Sequence, residues 1–391
     1  MSKLSSLELR SALTLACVIS LRLFGLFLIL PVFSLYARHM PGATPFLIGL
    51  ALGVYGIGQM LLQIPLGLLS DRIGRKPAIT LGLVVFAIGG GVAALAQTLD
   101  GIVLGRALQG MGAVAGAGTA LAADLTDEDN RGKVMGIIGV SIGLSFLLAL
   151  ILGPPLEAVA GLGGLFGATS ILAVLAIAML WLLVPTPERV RAPAAASARV
   201  VLSMLGDGRM LVLNGSVFFL HALLTASFVG LPLLLGDVLH LPVARHWELY
   251  LPVMVIAALV MGAALPRMRD VRQSLRIVVG CIAALGLALL GMSMVGTQVL
   301  ALGVAATMFF SAFNLLEAAL PSLVSRLAPE HLRGAAMGAY STSQFFGAFV
   351  GGAMGGVALG QFGLHGVFVA AAALTLVWLP LTLWGAQRIA R

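Results

Sequence analysis

The sequence predicts an all-α integral membrane protein of twelve transmembrane helices in two pseudo-symmetric six-helix bundles. Three observations carry this. The 391-residue chain is 60% hydrophobic and only 10% charged, where a soluble domain carries about 25% charged residues, and its mean hydropathy is +1.08. The apolar runs are long and do not alternate, so they read as spanning helices of about 20 residues rather than barrel strands. One stretch also recurs: Leu125, Glu128, Arg131, Gly132, Met135 and Gly136 reappear as Leu327, Glu330, Arg333, Gly334, Met337 and Gly338, at an offset of 202 residues.

Span 1, near 11–37, follows the charged start Lys3, Glu8 and Arg10. It runs to Tyr36 with no small-residue cleavage site, so it reads as a retained helix and not a signal peptide. Spans 2 to 6 fall near 46–69, 78–97, 101–123, 134–157 and 163–184. The join from Val184 to Arg209 holds Pro185, Pro187, Pro193, four arginines and an alanine-rich stretch. It reads as a cytoplasmic linker with a short interfacial helix near 194–205. Spans 7 to 12 follow near 210–236, 247–266, 275–295, 298–325, 335–359 and 366–387. The predicted domains are therefore an N-terminal bundle over 1–184, a linker over 185–209 and a C-terminal bundle over 210–391.

Loop charges predict the orientation. Of 23 Lys and Arg, nineteen fall at the two termini and in the even-to-odd loops, and two, Arg38 and Arg245, fall in the opposite loops; Arg22 and Arg106 lie inside spans. By the positive-inside rule both termini are cytoplasmic, as an even number of spans requires.

Glycine supplies 49 residues, well above the roughly 7% of ordinary proteins. In lipid, small residues let helix backbones approach closely. Gly347, Gly351 and Gly355 repeat every fourth residue with Gly352 and Gly356 beside them; Gly112, Gly116 and Gly118 mark span 4, and Gly139, Gly143 and Gly153 mark span 5. Static packing explains most of them, and smooth sliding faces are the functional reading.

Composition excludes several classes. The net charge of +8 sits in short loops without interleaved aromatics, so nucleic acid is not a partner. Cys17 and Cys281 lie mid-span in different halves, which gives no disulfide framework. None of the three lysines stands in a phosphate-binding G-x-x-x-x-G-K-[ST] loop. The six histidines show no metal spacing. The reading is a non-enzyme with no metal and no cofactor.

Three ionisable residues lie deep in spans. Arg22 is about 18 Å along a helix from Arg10, Arg106 sits in span 4, and Glu317 is the only acid well inside a predicted span. Such residues mark transport paths. Burial disfavours the charged form of a carboxylate, so Glu317 is the candidate proton site; the plainer reading is a structural pair with Arg22 or Arg106. Asn314 is one turn away, and His221 can reach the same cavity, although a lone histidine is more often a packing residue.

The row Gly67-Leu68-Leu69-Ser70-Asp71-Arg72-Ile73-Gly74-Arg75-Lys76-Pro77 places charges against hydrocarbon, which is costly unless they pair or stay at the water interface. It resembles the loop signature of the major facilitator superfamily of secondary transporters, whose two halves relate by an axis along the membrane normal. The loop Pro266 to Arg272 resembles a degraded second copy. The resemblance implies that Gly67 lets span 2 pack on span 11, that Asp71 sits near the start of span 11, and that Arg75 pairs with Asp124 while Arg131 joins the network. Together with Gly74, these residues form a conformational latch; Arg72 and Lys76 fit plain topology anchoring. Leu104 to Gly110, with Arg106, Gln109 and Gly110, resembles the R-x-x-Q-G motif of proton-coupled members. Gly153 and Pro154 resemble the core of the antiporter motif, although Pro155, Leu156 and Glu157 depart from it.

Strings such as Ser20 to Arg22, Gly105 to Gly110 and Tyr340 to Phe345 resemble the YajR group of drug–proton antiporters. Such proteins can carry a soluble domain after span 12. This chain ends just after that span, as a shorter relative or a truncated one. The expected function is proton-coupled export of lipophilic or drug-like small molecules by a monomer in the bacterial inner membrane, working by alternating access with the proton gradient as its energy source. Transport of an organic anion is the alternative, since two arginines and one acid share the expected cavity. A non-transporting receptor or scaffold is the third reading.

Overall fold

The computed structural model describes residues 5–186, 204, 207–268 and 270–389. The interfacial helix expected near 194–205 lies outside the described residues. Among those residues the chain is helical, and nine helices are long and apolar enough to cross a membrane. Two of the nine are double, and a broken pair of shorter helices supplies one more crossing, which gives the twelve expected.

The first break is in span 1. Helix α1 (Ser6–Phe27) starts on a capping box, in which Ser5 accepts from the Glu8 amide while the Glu8 carboxylate accepts from the Ser5 amide. It stops at Phe27, and α2 (Phe33–Ala37) resumes after a turn. The single helix expected over 11–37 is thus interrupted. Pro31 has no amide proton and pushes the residue before it out of helical geometry. Helix α3 (Pro45–Ile73) ends at Gly74, whose φ of +96° disfavours any side chain, and α4 (Arg75–Leu95) begins one residue later.

Span 4 is broken too. Helix α5 (Leu99–Met111) and α6 (Ala115–Asp124) are separated by Gly112 to Val114. A 3₁₀ turn over Glu128–Asn130 leads into α7 (Arg131–Leu183), which contains spans 5 and 6 joined at Gly161, φ +66°. The second half follows with α8 (Gly208–Leu233), α9 (Trp247–Ala264), α10 (Val271–Ser293) and α11 (Val299–Leu327). A 3₁₀ turn over Glu330–Leu332 then opens α12 (Arg333–Ile389), which bends at Gly363, φ +71°. The two bends carry the same 202-residue offset as the sequence repeat, so the repeat is one of backbone as well as of letters.

Packing divides the chain into two units, Met1–Val32 with Ile57–Ala195, and Phe33–Gly56 with Ala196–Arg391. The core of the first gathers Leu15 and Ile19 of α1, Ile79 and Leu83 of α4, Leu121 of α6 and Val134, Ile138 and Leu180 of α7. In the second, α12 is flanked on two faces. A Cβ on Gly347 would lie 2.1 Å from the Phe218 carbonyl oxygen, and one on Gly351 2.1 Å from that of Ala222, so these glycines seat α12 directly on α8. Gly352 and Gly356 do the same against the first half of α3, at Gly49 and Pro45. Lipid gives no hydrophobic drive between helices, so such backbone-on-backbone contact is the main source of cohesion.

Two glycine expectations are corrected. A Cβ on Gly139 or Gly143 would meet nothing within 4 Å, so neither seats a helix; Gly153 does, facing the Leu28 carbonyl oxygen at 2.6 Å where α1 unwinds. Within its own unit a Cβ on Gly67 would also meet nothing within 4 Å, while Gly49, Gly53 and Gly56 earlier in α3 lie against α12.

Candidate functional site

The charged turn folds onto one guanidinium. Gly74 reverses the chain, so Arg75 at the head of α4 points back along the end of α3. Its Nε donates to Asp124 Oδ2 at 3.0 Å, its Nη1 donates to Ser70 Oγ at 2.6 Å and to the Asp71 carboxylate, and Ser70 Oγ donates to the Gly67 carbonyl at 2.6 Å. The Arg75 side chain is 2% exposed, and Asp124 and Asp71 are 7% and 24% exposed. A buried cation is tolerated when carboxylates and hydrogen bonds surround it. Ser70 belongs to this cluster although sequence reasoning did not single it out. Gly153 and Pro154 stand elsewhere in the same unit, against the end of α1.

Two expectations for this region change. Arg131 stays outside the cluster: the 3₁₀ turn sets Glu128 beside it, and the two pair at 3.6 Å. Arg333 and Glu330 repeat the arrangement at 3.7 Å. Arg72 is exposed, as an anchor would be, but Lys76 is buried. Its ammonium donates to the Val184 carbonyl and lies 5.3 Å above the Trp181 ring, so it caps the end of α7, where the helix dipole favours a cation. Glu8 was also missed as a site residue. Besides capping α1, it accepts from the Asp127 amide at 3.1 Å and from Asn130 Nδ2 at 3.3 Å, tying the chain start to the turn before α7. The Ser5-x-x-Glu8 spacing was the available signal.

The two intramembrane arginines gather at the α5 break. Arg22 Nη2 donates to the Gly112 carbonyl at 3.0 Å, and its guanidinium carbon lies 5.3 Å from the Phe86 ring centroid. Arg106 Nη1 donates to Gln109 Oε1 at 3.0 Å, and Gln109 Nε2 donates to Thr169 Oγ1 at 2.9 Å. A helix that ends inside a membrane leaves carbonyls without helical partners, and Arg22 satisfies one of them. Its burial therefore has a structural cause.

In the second unit, His221 of α8, Glu317 of α11 and Gln344 of α12 meet. His221 Nδ1 lies 3.2 Å from the Val217 carbonyl, which can only accept, so that nitrogen carries a proton. Nε2 lies 2.8 Å from Gln344 Nε2 and 3.7 Å from Glu317 Oε2. In the neutral ring with Nδ1 protonated, Nε2 accepts from the Gln344 amide. Both ring nitrogens of the histidine thus have a polar neighbour. Asn314 stands one turn before Glu317 on α11. The Glu317 side chain is 40% exposed, whereas Glu157 is 2% exposed, because α7 continues past the predicted end of span 5.

Residues 15–352 match the profile of the Major Facilitator Superfamily. The chain belongs to this superfamily. It is 44% identical over 382 residues to the inner membrane transport protein YajR of Escherichia coli K12, covering 96% of this chain and 83% of that protein. It is 33% identical to the uncharacterized transporter BU466 of Buchnera aphidicola, covering 88% and 89%. Among solved structures, a bacterial homolog of the human lysosomal transporter Spinster aligns with a TM-score of 0.80 at 12% identity, covering 98% of each chain. The human organic anion transporter MFSD10 aligns with a TM-score of 0.71 at 20% identity, covering 97% and 100%. These two establish the fold alone. The superfamily protein is a multi-pass membrane transporter, and its relatives are named as transporters, not enzymes.

Proposed function

We propose that this transporter moves a lipophilic or drug-like small molecule out of the cell in exchange for protons, with the Glu317–His221 pair as the proton carrier. The supporting observation is that pair itself. A carboxylate and an imidazole stand 3.7 Å apart inside spanning helices, and they form an ion pair only when the imidazole is charged. Gln344 holds the ring in place through Nε2, and Asn314 stands one turn before Glu317 on α11. Energy comes from the proton gradient, with no cofactor, and the unit of function is the monomer.

The Arg75 cluster is the proposed latch. It binds the end of α3 to the start of α4 and the end of α6 within one unit, and in this reading its acids and arginine change partners as access alternates. By the positive-inside rule this end of the protein faces the cytoplasm. The arginines at the α5 break would serve an organic anion as substrate, but their carbonyl and amide partners give them a structural task already.

The test uses proteoliposomes with an imposed pH gradient and a pH-sensitive dye inside. Lipophilic cations, neutral amphiphiles and organic anions are added in turn, to wild type and to Glu317→Gln. Substrate-dependent proton movement that is lost in the variant supports the reading. Proton movement with organic anions alone would transfer the substrate role to the arginines. No proton movement with any compound would refute proton coupling.

A further inference from the structure

The side chain of Glu317 has two environments. It is 40% exposed as a whole, yet its Oε2 is fully buried and accepts no hydrogen bond among the described residues. Two further polar groups of the same unit share that condition. Tyr340, 3% exposed, lies within electrostatic range of the Glu317 carboxylate, and its hydroxyl has no partner among the described residues. Asn214 is 3% exposed, and neither its Oδ1 nor its Nδ2 has one.

Helix geometry aligns these groups. Tyr340 is one turn before Gln344, which touches His221. Asn214 is two turns before His221 on the same stripe of α8. Helices α8 and α12 run side by side, with Phe218 against Gly347, Ala222 against Gly351 and Ala226 against Gly355, each pair one turn further on. Continued back one turn, this register sets Asn214 level with the Tyr340–Gln344 turn. A hydroxyl and both ends of an amide, buried in a spanning region, are costly unless hydrogen-bonded, and polar groups so placed are the usual hosts of ordered water.

We propose that Asn214 and Tyr340 hold a chain of ordered water behind Glu317, which carries its proton towards the end of α8 at Gly208 by a route separate from the exposed face that meets substrate. This rests on the reading of Glu317 as proton carrier. In the step, the O–H bond of protonated Oε2 breaks and the nearest water takes the proton. Each water then gains one proton and passes one on, and bulk water receives the last. Glu317 is left as a carboxylate; Tyr340 stays a phenol and Asn214 an amide, the first donating to the chain and the second both donating and accepting.

The experiment follows the proton alone. Reconstituted protein is subjected to a rapid pH jump, and the carboxyl C=O band of Glu317 is followed by infrared difference spectroscopy. Glu317→Gln assigns the band. In Tyr340→Phe and Asn214→Leu the band should keep its frequency, while proton release slows roughly tenfold, the kinetic equivalent of one hydrogen-bonded water lost from the chain. Asn214→Ser should recover most of the rate. Tyr340→Phe removes a single oxygen atom and carries the test if Asn214→Leu does not fold. Wild-type release in both variants would mean that the proton leaves from the exposed oxygen, and would overturn the relay while leaving Glu317 as carrier. A band that Glu317→Gln does not remove would overturn both.

Discussion

At the scale of the residue, the energetics turn on how each buried charge is satisfied. Arg75 is enclosed by two carboxylates and a hydroxyl. Replacing it with Gln strips Asp71 and Asp124 of their cation, and removing one partner of a buried pair costs roughly 3–5 kcal/mol. Arg75→Gln should therefore lower the thermal midpoint of purified protein steeply, whereas Arg72→Gln, at an exposed position, should stay within about 0.5 kcal/mol of wild type. Thermal unfolding in detergent checks both. The Arg75–Asp124 pair was legible through the resemblance of the charged turn, whereas the second carboxylate on Arg75, Asp71, was not, because Gly74 breaks the helix between them. Ser70 was legible only once Gly74 had turned the chain, and Gln344, Lys76 and Thr169 were not, because their partners lie far away in sequence. Arg131 misled for the opposite reason: its nearest acid is local.

At the scale of the element, glycine spacing decides which helices touch. Gly351→Leu puts a side chain where a Cβ alone would lie 2.1 Å from a backbone oxygen. Overpacking of this kind costs about 1–3 kcal/mol or more, so the variant should be markedly less stable than Gly143→Leu, whose Cβ meets nothing within 4 Å. Equal midpoints for the two would refute the packing role of α12. Spans and the repeat were legible because hydropathy and a 202-residue offset are properties of the letters. The breaks in spans 1 and 4 were less so. Pro31 announces the first, but at the second, Gly112 to Val114, the Gly112 carbonyl takes its hydrogen bond from Arg22 of another helix, a partner distant in sequence.

At the scale of the whole molecule, the superfamily was legible in one turn of charged residues, since that turn has to satisfy charge beside lipid in a particular way. Orientation is predicted by the loop charges: a fluorescent protein fused to the C-terminus should fluoresce in cells, and alkaline phosphatase fused there should be inactive. The opposite pair of results would reverse the assigned faces.

The central claim is that Glu317 couples transport to protons without being needed to hold substrate. The most direct measurement compares two modes in Glu317→Gln proteoliposomes, using a compound that wild type moves: accumulation driven by a pH gradient, and exchange of labelled for unlabelled compound at equal pH. Accumulation should be lost and exchange retained. Gradient-driven accumulation at the wild-type rate would contradict the account.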